Sequence, residues 1–381
     1  MKTVLYTFIL ASGLFSSCNR TLPVYAQPAP EAPKTTASQN TASAPAQDYS
    51  QEPIHYAQER HFKNVRQLTY GGNNAEAYWS FDGKKLIFQS DNPGWGLGCD
   101  QIFLLDVNAK ADSSKLKMIS TGKGRTTCSW FMPDNKSILY ASTHLGGDSC
   151  PPVPDMGRRY VWQLYPSYDI FVADLKGNIT KQLTTEARYD AEATISPKGD
   201  KIIFTSLRTG DLELYTMDID GKKVKQITDQ LGYDGGACFS ADGSKIVWRA
   251  SRPKSEQEKL AYQDLLNKDM VEPSNMEIWV ANADGSDARQ ITNLGKANWA
   301  PTFTPKGDKI IFCSNYKSER GFPFNLYIMN IDGTGLEQLT FDDQFDSFPM
   351  FSPDGKKFVW CSNRHNGRTR DTNVFIADWV D

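Results

Sequence analysis

The sequence predicts an all-β protein: a six-bladed β-propeller of four-stranded antiparallel blades, closed by pairing N-terminal and C-terminal strands in one blade. Three observations predict it. A strand–turn–strand stretch recurs six times. A short strand ending in Thr or Ser comes before each recurrence, and a third strand follows. A four-stranded unit repeated at about 40–45 residues is the signature of a propeller blade.

The clearest hairpin is Phe351–Asn363, FSPDGKKFVWCSN. Pro353 fixes φ, Gly355 is free to take positive φ, and Phe358-Val359-Trp360 is a β-rich apolar run. Its counterparts turn at Gly83, Asn135, Gly199, Gly243 and Gly307. Asn135 also tolerates the left-handed region, so that turn survives. The preceding strands are RQLTY, KMIST, KQLTT, KQITD, RQITN and EQLTF. The third strands are DQIFLLDV, YDIFVADLKG, ELYTMDIDG, EIWVANADG, NLYIMNIDG and NVFIADWV. The last unit, ending at Trp379, has three strands; Val65–Tyr70 is expected to supply its fourth and remove the free edge.

These SPDGKK-type turns, RQLT and KQIT strands and xDG turns resemble the TolB-type propeller repeat of bacterial envelope proteins, over roughly residues 62–381. The resemblance implies an exported scaffold that docks a protein partner at the channel mouth. It does not extend to the separate N-terminal α/β domain of TolB, for which residues 19–61 are too short and too low in complexity, so no specific partner carries over.

Residues 1–18 read as an export signal: Lys2 precedes an apolar run, Val4–Phe15, too short to span a bilayer. Leu14–Cys18 resembles a lipoprotein cleavage box in which Cys18 is lipidated; cleavage after Val24-Tyr25-Ala26 is the alternative. Residues 19–61, rich in Pro, Ala, Ser, Thr and Gln, read as a disordered tether. The expectation is a propeller, 62–381, exported to the periplasm or outer membrane and held to the membrane only through a lipid. A net charge of −3 argues against a nucleic-acid surface.

Three insertions, 89–100, 141–168 and 250–275, fall between the second and third strands of a blade. They therefore share one face with the blade-to-blade loops, while the tight turns occupy the other. Loops that grow on one face mark where binding is expected. Ser255 and Glu258 form a capping box for a helix with Leu260, Ala261, Leu265 and Leu266 as its apolar stripe and Pro273 as its stop.

Nine positions ahead of each turn residue stands a recurrent polar residue: Asn74, Thr126, Asp190, Asp234, Asn298 and Asp346. With Glu76 and Glu192 two positions further on, these define a candidate acidic ring at the channel mouth: Glu76, Asp190, Glu192, Asp234 and Asp346. Such a ring would receive a basic side chain, a peptide terminus or a cation. Local turn capping by Asp and Asn explains the same recurrence. The loop aromatics Trp95, Tyr160, Trp162 and Tyr165, with Tyr168, form either a recognition patch or a satellite core.

Cys99 and Cys150, in neighbouring insertions, are placed to pair in an oxidising compartment. Cys128, Cys238, Cys313 and Cys361 fall in strands, where a small buried hydrophobe is the default. The four histidines are scattered, no G-x-S-x-G occurs, and no metal, cofactor or catalytic constellation is expected. The function expected is a cell-envelope binding scaffold that engages a protein or peptide on its elaborated face. The alternatives are an envelope enzyme or accessory domain (a saccharide lyase or hydrolase using Glu76 and Glu192, or a peptidase-associated propeller) and a glycan-binding module served by the loop aromatics.

Overall fold

The computed structural model describes residues 53–108, 116–157, 159–319, 321–367 and 369–381. The export signal, Cys18 and residues 19–52 lie outside the described residues. Six four-stranded antiparallel sheets follow one another: blade 1 spans Asn74–Met118, blade 2 Thr126–Gln182, blade 3 Asp190–Gln226, blade 4 Asp234–Gln290 and blade 5 Asn298–Gln338. Blade 6 combines Asp346–Phe351, Lys357–Ser362 and Asn373–Trp379 with an N-terminal strand, Phe62–Gln67. That strand pairs with Asn373–Trp379 and closes the ring, beginning three residues earlier than the sequence predicts.

The repeated motifs have separate mechanical roles. In five blades a Ser or Thr hydroxyl ahead of the DG turn accepts the N–H that starts the second strand, as from Lys357 to Ser352 at 2.9 Å. Blade 2 has Met132 there, and Asp134 substitutes by accepting from Ser137 N–H at 2.9 Å. The Thr or Ser of the RQLT motif locks the fourth strand to the third. Its hydroxyl accepts a third-strand N–H in every blade, for example Ile278 to Thr292 at 2.7 Å and Val374 to Thr69 at 2.9 Å. The turns of adjacent blades crowd together: a Cβ on Gly199 would lie 2.5 Å from Pro133.

Every innermost strand carries the same irregularity. Its register shifts once, and the extra residue takes positive φ: Glu76, Cys128, Glu192, Gly236, Ala300 and Phe348. A bulge re-aims its side chain out of the pleat, and all six of these residues line one central cavity.

Two expectations are corrected. Residues 53–61 are packed rather than free: Glu59 is fully buried, Ile54 packs against the blade 5–6 core, and Tyr56 donates to Asp342 at 2.7 Å. Residues 53–61 therefore pack with the propeller. The helix, Glu256–Leu266, has its capping box but stops at Asn267, well short of Pro273. Tyr262, Leu265 and Leu266 form its buried side; Leu260 and Ala261 are exposed.

Candidate functional site

The acids placed in the ring from sequence divide into two sets with different environments. Asp190, Asp234 and Asp346 are buried and each is held by an arginine from the end of its own blade's second strand. Arg208 bonds both oxygens of Asp190 at 3.1 Å, Arg252 reaches Asp234 at 2.7 Å, and Arg364 bonds both oxygens of Asp346 at 3.0 and 3.1 Å. Trp248 Nε1 also donates to Asp234, at 2.6 Å. Burial pushes the Asp190 and Asp234 carboxyls up to about 6 against the pull of these arginines. None of the three lines the cavity. They are blade clasps, and the equivalent Asn74 and Asn298 clasp through backbone carbonyls instead.

Glu76 and Glu192 belong to the bulge ring. The cavity they help line has a volume of about 900 Å³, within the range of small-molecule and peptide-anchor sites. Its walls change character around the ring. Blades 5 and 6 contribute the uncharged Trp299, Ala300, Phe324, Phe345, Phe348 and Met350; blades 1 to 4 contribute the charged Glu76, Asp100, Arg125, Glu192 and Arg249, set among aromatics such as Tyr78, Trp162 and Tyr189. Val153, Tyr160 and Phe322 stand exposed among the lining residues, at 71%, 63% and 62%, so the cavity opens on the loop-elaborated face.

Glu192 is fully engaged. It forms a short ion pair with Arg249 and accepts from Tyr233 OH at 2.7 Å, Thr205 Oγ1 at 2.8 Å and the Gly236 N–H at 3.0 Å. Arg249 also donates to Tyr233 OH at 2.7 Å and lies 4.9 Å from the Trp162 ring centroid, a cation–π contact. Gly236 makes room for it: a Cβ there would lie 2.3 Å from Arg249 Nη1. Asp100 and Arg125 form a second close pair, and burial pushes Asp100 up to about 6.

Glu76 differs from both. Its Oε2 is buried with no hydrogen-bond partner, and the Cys128 thiol is its hydrogen-bonding neighbour. Burial pushes its carboxyl up to about 7, the nearby Glu192 adding to the rise and Arg249 opposing it. Because the folded value exceeds the ordinary 4.5, the fold keeps a proton that the unfolded chain loses. Stability from this residue therefore falls as pH rises through that window. Glu76→Gln is expected to gain on the order of 2–3 kcal/mol relative to the native chain between about pH 5 and about pH 8, read as the difference between two urea-denaturation series. A constant difference across that range would contradict the buried, unpartnered carboxyl.

The loop aromatics separate similarly. Tyr160, Trp162 and Tyr165 line the cavity, while Trp95 packs on Phe103 at 4.9 Å in the blade 1 core. Trp162–Gln163 pairs with Met270–Val271, so the insertions of blades 2 and 4 are zipped together beside the mouth. Arg159 ties to Glu272 at 2.6 Å across the same junction. Cys99 and Cys150 form a disulfide that anchors the blade 2 insertion to blade 1. Cys313 and Cys361 are buried strand residues, whereas Cys128 and Cys238 line the cavity. Asp100, Arg125, Tyr233 and Arg249 are not among the candidates read from sequence. Arg249 alone carried a signal: its counterparts in the other second strands are Gln89, Ala141, Thr205, Cys313 and Cys361.

The TolB β-propeller domain model matches residues 161–271 and 255–370, more than half of the chain. The chain belongs to the TolB β-propeller family. Among solved structures, this TolB-type propeller is similar to a TolB from Agrobacterium tumefaciens, at 20% identity and a TM-score of 0.53, over 81% of this chain and 91% of that one. It is also similar to TolB from Acinetobacter baumannii, at 21% identity and a TM-score of 0.51, over 72% of this chain and 56% of that one. An oligogalacturonate lyase from Vibrio parahaemolyticus matches at 14% identity and a TM-score of 0.45, over 82% of this chain and 93% of that one. These are likenesses of fold. No curated protein matches the chain. No helix among the described residues is long and apolar enough to cross a membrane.

Proposed function

We propose that this TolB-type propeller is an exported binding scaffold of the cell envelope, tethered through a lipid on Cys18, that seats a protein or peptide segment on its loop-elaborated face. One observation carries the reading: the aromatic-walled cavity of about 900 Å³ at the centre of that face, with exposed Val153, Tyr160 and Phe322 around it. Concave apolar sites with a few placed polar groups anchor a partner's side chain, and exposed aromatics around them form the surrounding contact. The Arg–Asp clasps keep the blades fixed, so the site is preorganised.

The fold itself supplies the test. Phe348 occupies the bulge position of blade 6 at φ 54°, and Ala300 occupies the same position of blade 5 at φ 48°. That backbone therefore accepts Phe, and Ala300→Phe fills the cavity without straining the blade. Affinity capture from solubilised envelopes is expected to recover a partner with the native chain and to lose it at least tenfold with the folded variant. Equal recovery would place the partner elsewhere.

A second reading, acid–base chemistry on a saccharide, rests on Glu76, whose carboxyl titrates near neutrality inside the cavity. Glu192, the other acid proposed for it, is committed to Arg249 and Tyr233, which favours binding. Turnover of an oligosaccharide, lost in Glu76→Gln, would support the enzymatic reading instead. Retention of a neutral glycan on the Trp162 side of the mouth would support the glycan-binding one.

A further inference from the structure

We infer that the cavity receives a protonated amine carried on an aromatic or aliphatic body, with Glu76 as its counter-ion. This deepens the binding reading and rests on it.

Charge around the cavity points to a missing cation. Four acids line it: Glu76, Asp100, Glu192 and Glu272. Three have their own arginine: Asp100 pairs with Arg125, Glu192 with Arg249 and Glu272 with Arg159. Glu76 has no ion pair among the described residues, and its Oε2 has no hydrogen-bond partner. The groups that bear on it come from five of the six blades: Asp100 from blade 1, Cys128 from blade 2, Glu192 from blade 3, Arg249 from blade 4 and Cys361 from blade 6, with Tyr78 on its own strand. Arg249 is the one cation of that set, and it is spent on Glu192 and Tyr233.

A buried carboxylate without a counter-ion is costly. A ligand ammonium relieves that cost, and it also gains from aromatic faces such as Tyr78, Trp299 and Phe348 on the cavity wall. A ligand hydroxyl would satisfy Oε2 but not its charge, and a ligand carboxylate or phosphate would be repelled. Selectivity for an amine over its isosteric alcohol is therefore the signature of this site. The amine is either free or the α-amino group of a docked peptide.

Calorimetric titration of the full chain with 2-phenylethylamine and with 2-phenylethanol tests this. The amine is expected to bind at least tenfold tighter than the alcohol. Its affinity is expected to rise as pH increases through Glu76's titration near 7, because the acid form must release its proton first. Glu76→Gln should abolish the amine's advantage over the alcohol and remove the pH dependence of amine binding. Phenylalanyl-glycinamide against its N-acetyl form distinguishes a peptide terminus from a free amine: a peptide receptor loses binding on acetylation, and a small-amine receptor binds neither form. Equal affinities for amine and alcohol, no binding of either probe, or an amine affinity independent of Glu76 and of pH would overturn the inference. If it is overturned while Ala300→Phe still loses its envelope partner, the binding-face reading stands; if both fail, neither does.

Discussion

Replacing Arg364 with Met is expected to cost the propeller about 3–5 kcal/mol, the largest loss of any single clasp. Arg364 is fully buried, and each of its donors is used. It forks onto Glu59 with two bonds of 2.9 Å, bonds both oxygens of Asp346, donates from Nε to Ser362 at 3.0 Å and reaches Ile54 O at 3.3 Å. Tyr56, Trp360 and Phe375 flank the guanidinium at 5.2, 5.3 and 5.9 Å. Truncation therefore strands two buried carboxylates, which is why breaking a buried pair costs far more than the pair contributes. The same clasp holds the N-terminal segment on the closing blade, so a chain starting at Phe62 should lose a comparable amount. Urea denaturation of both variants checks this. A loss under about 1 kcal/mol in each, the ordinary value for an exposed pair, would show that the clasp is not closed in solution.

Arg249→Met is expected to be nearly as severe, and to be rescued in an informative way. Its removal leaves Glu192 buried among Tyr233, Thr205 and the Gly236 amide with no cation, at a cost of about 3–4 kcal/mol. Adding Glu192→Gln removes the stranded charge, and the double variant should recover at least half of that loss, since contacting groups are strongly non-additive. Stability curves for the two single variants and the double variant measure the coupling. Simple additivity would mean that Arg249 and Glu192 do not act as a unit.

The architecture was legible because each blade solves the same mechanical problem with the same residues. The DG turns need a residue tolerant of positive φ, and the RQLT hydroxyl must cap a neighbouring strand, so both recur at fixed offsets. The clasps were legible as well. Arg208, Arg252 and Arg364 each follow an Asp of their own blade at one constant separation; the blades with Asn or Thr have Asn92, His144 and Tyr316 there instead. Read as a pair, Asp and Arg point to a buried clasp; the Asp alone reads as an open acidic ring, of which only Glu76 and Glu192 line the cavity. The bulge ring was less visible, because Glu76, Cys128, Glu192, Gly236, Ala300 and Phe348 share a conformation and not a chemistry. The docking of Glu59 was hidden in a segment whose composition is that of a tether, and nothing local marks its partner Arg364, far along the chain.

The proposed binding site on the loop-elaborated face is tested most directly by hydrogen–deuterium exchange of the native chain with and without a partner captured from the envelope. Slowed exchange is predicted in residues 160–165, 270–275, 297–302, 321–324 and 345–350, which surround the cavity, with the DG turns at Gly83, Gly199, Gly243, Gly307 and Gly355 unchanged. Protection confined to those turns, with the cavity segments exchanging as freely as before, would contradict it.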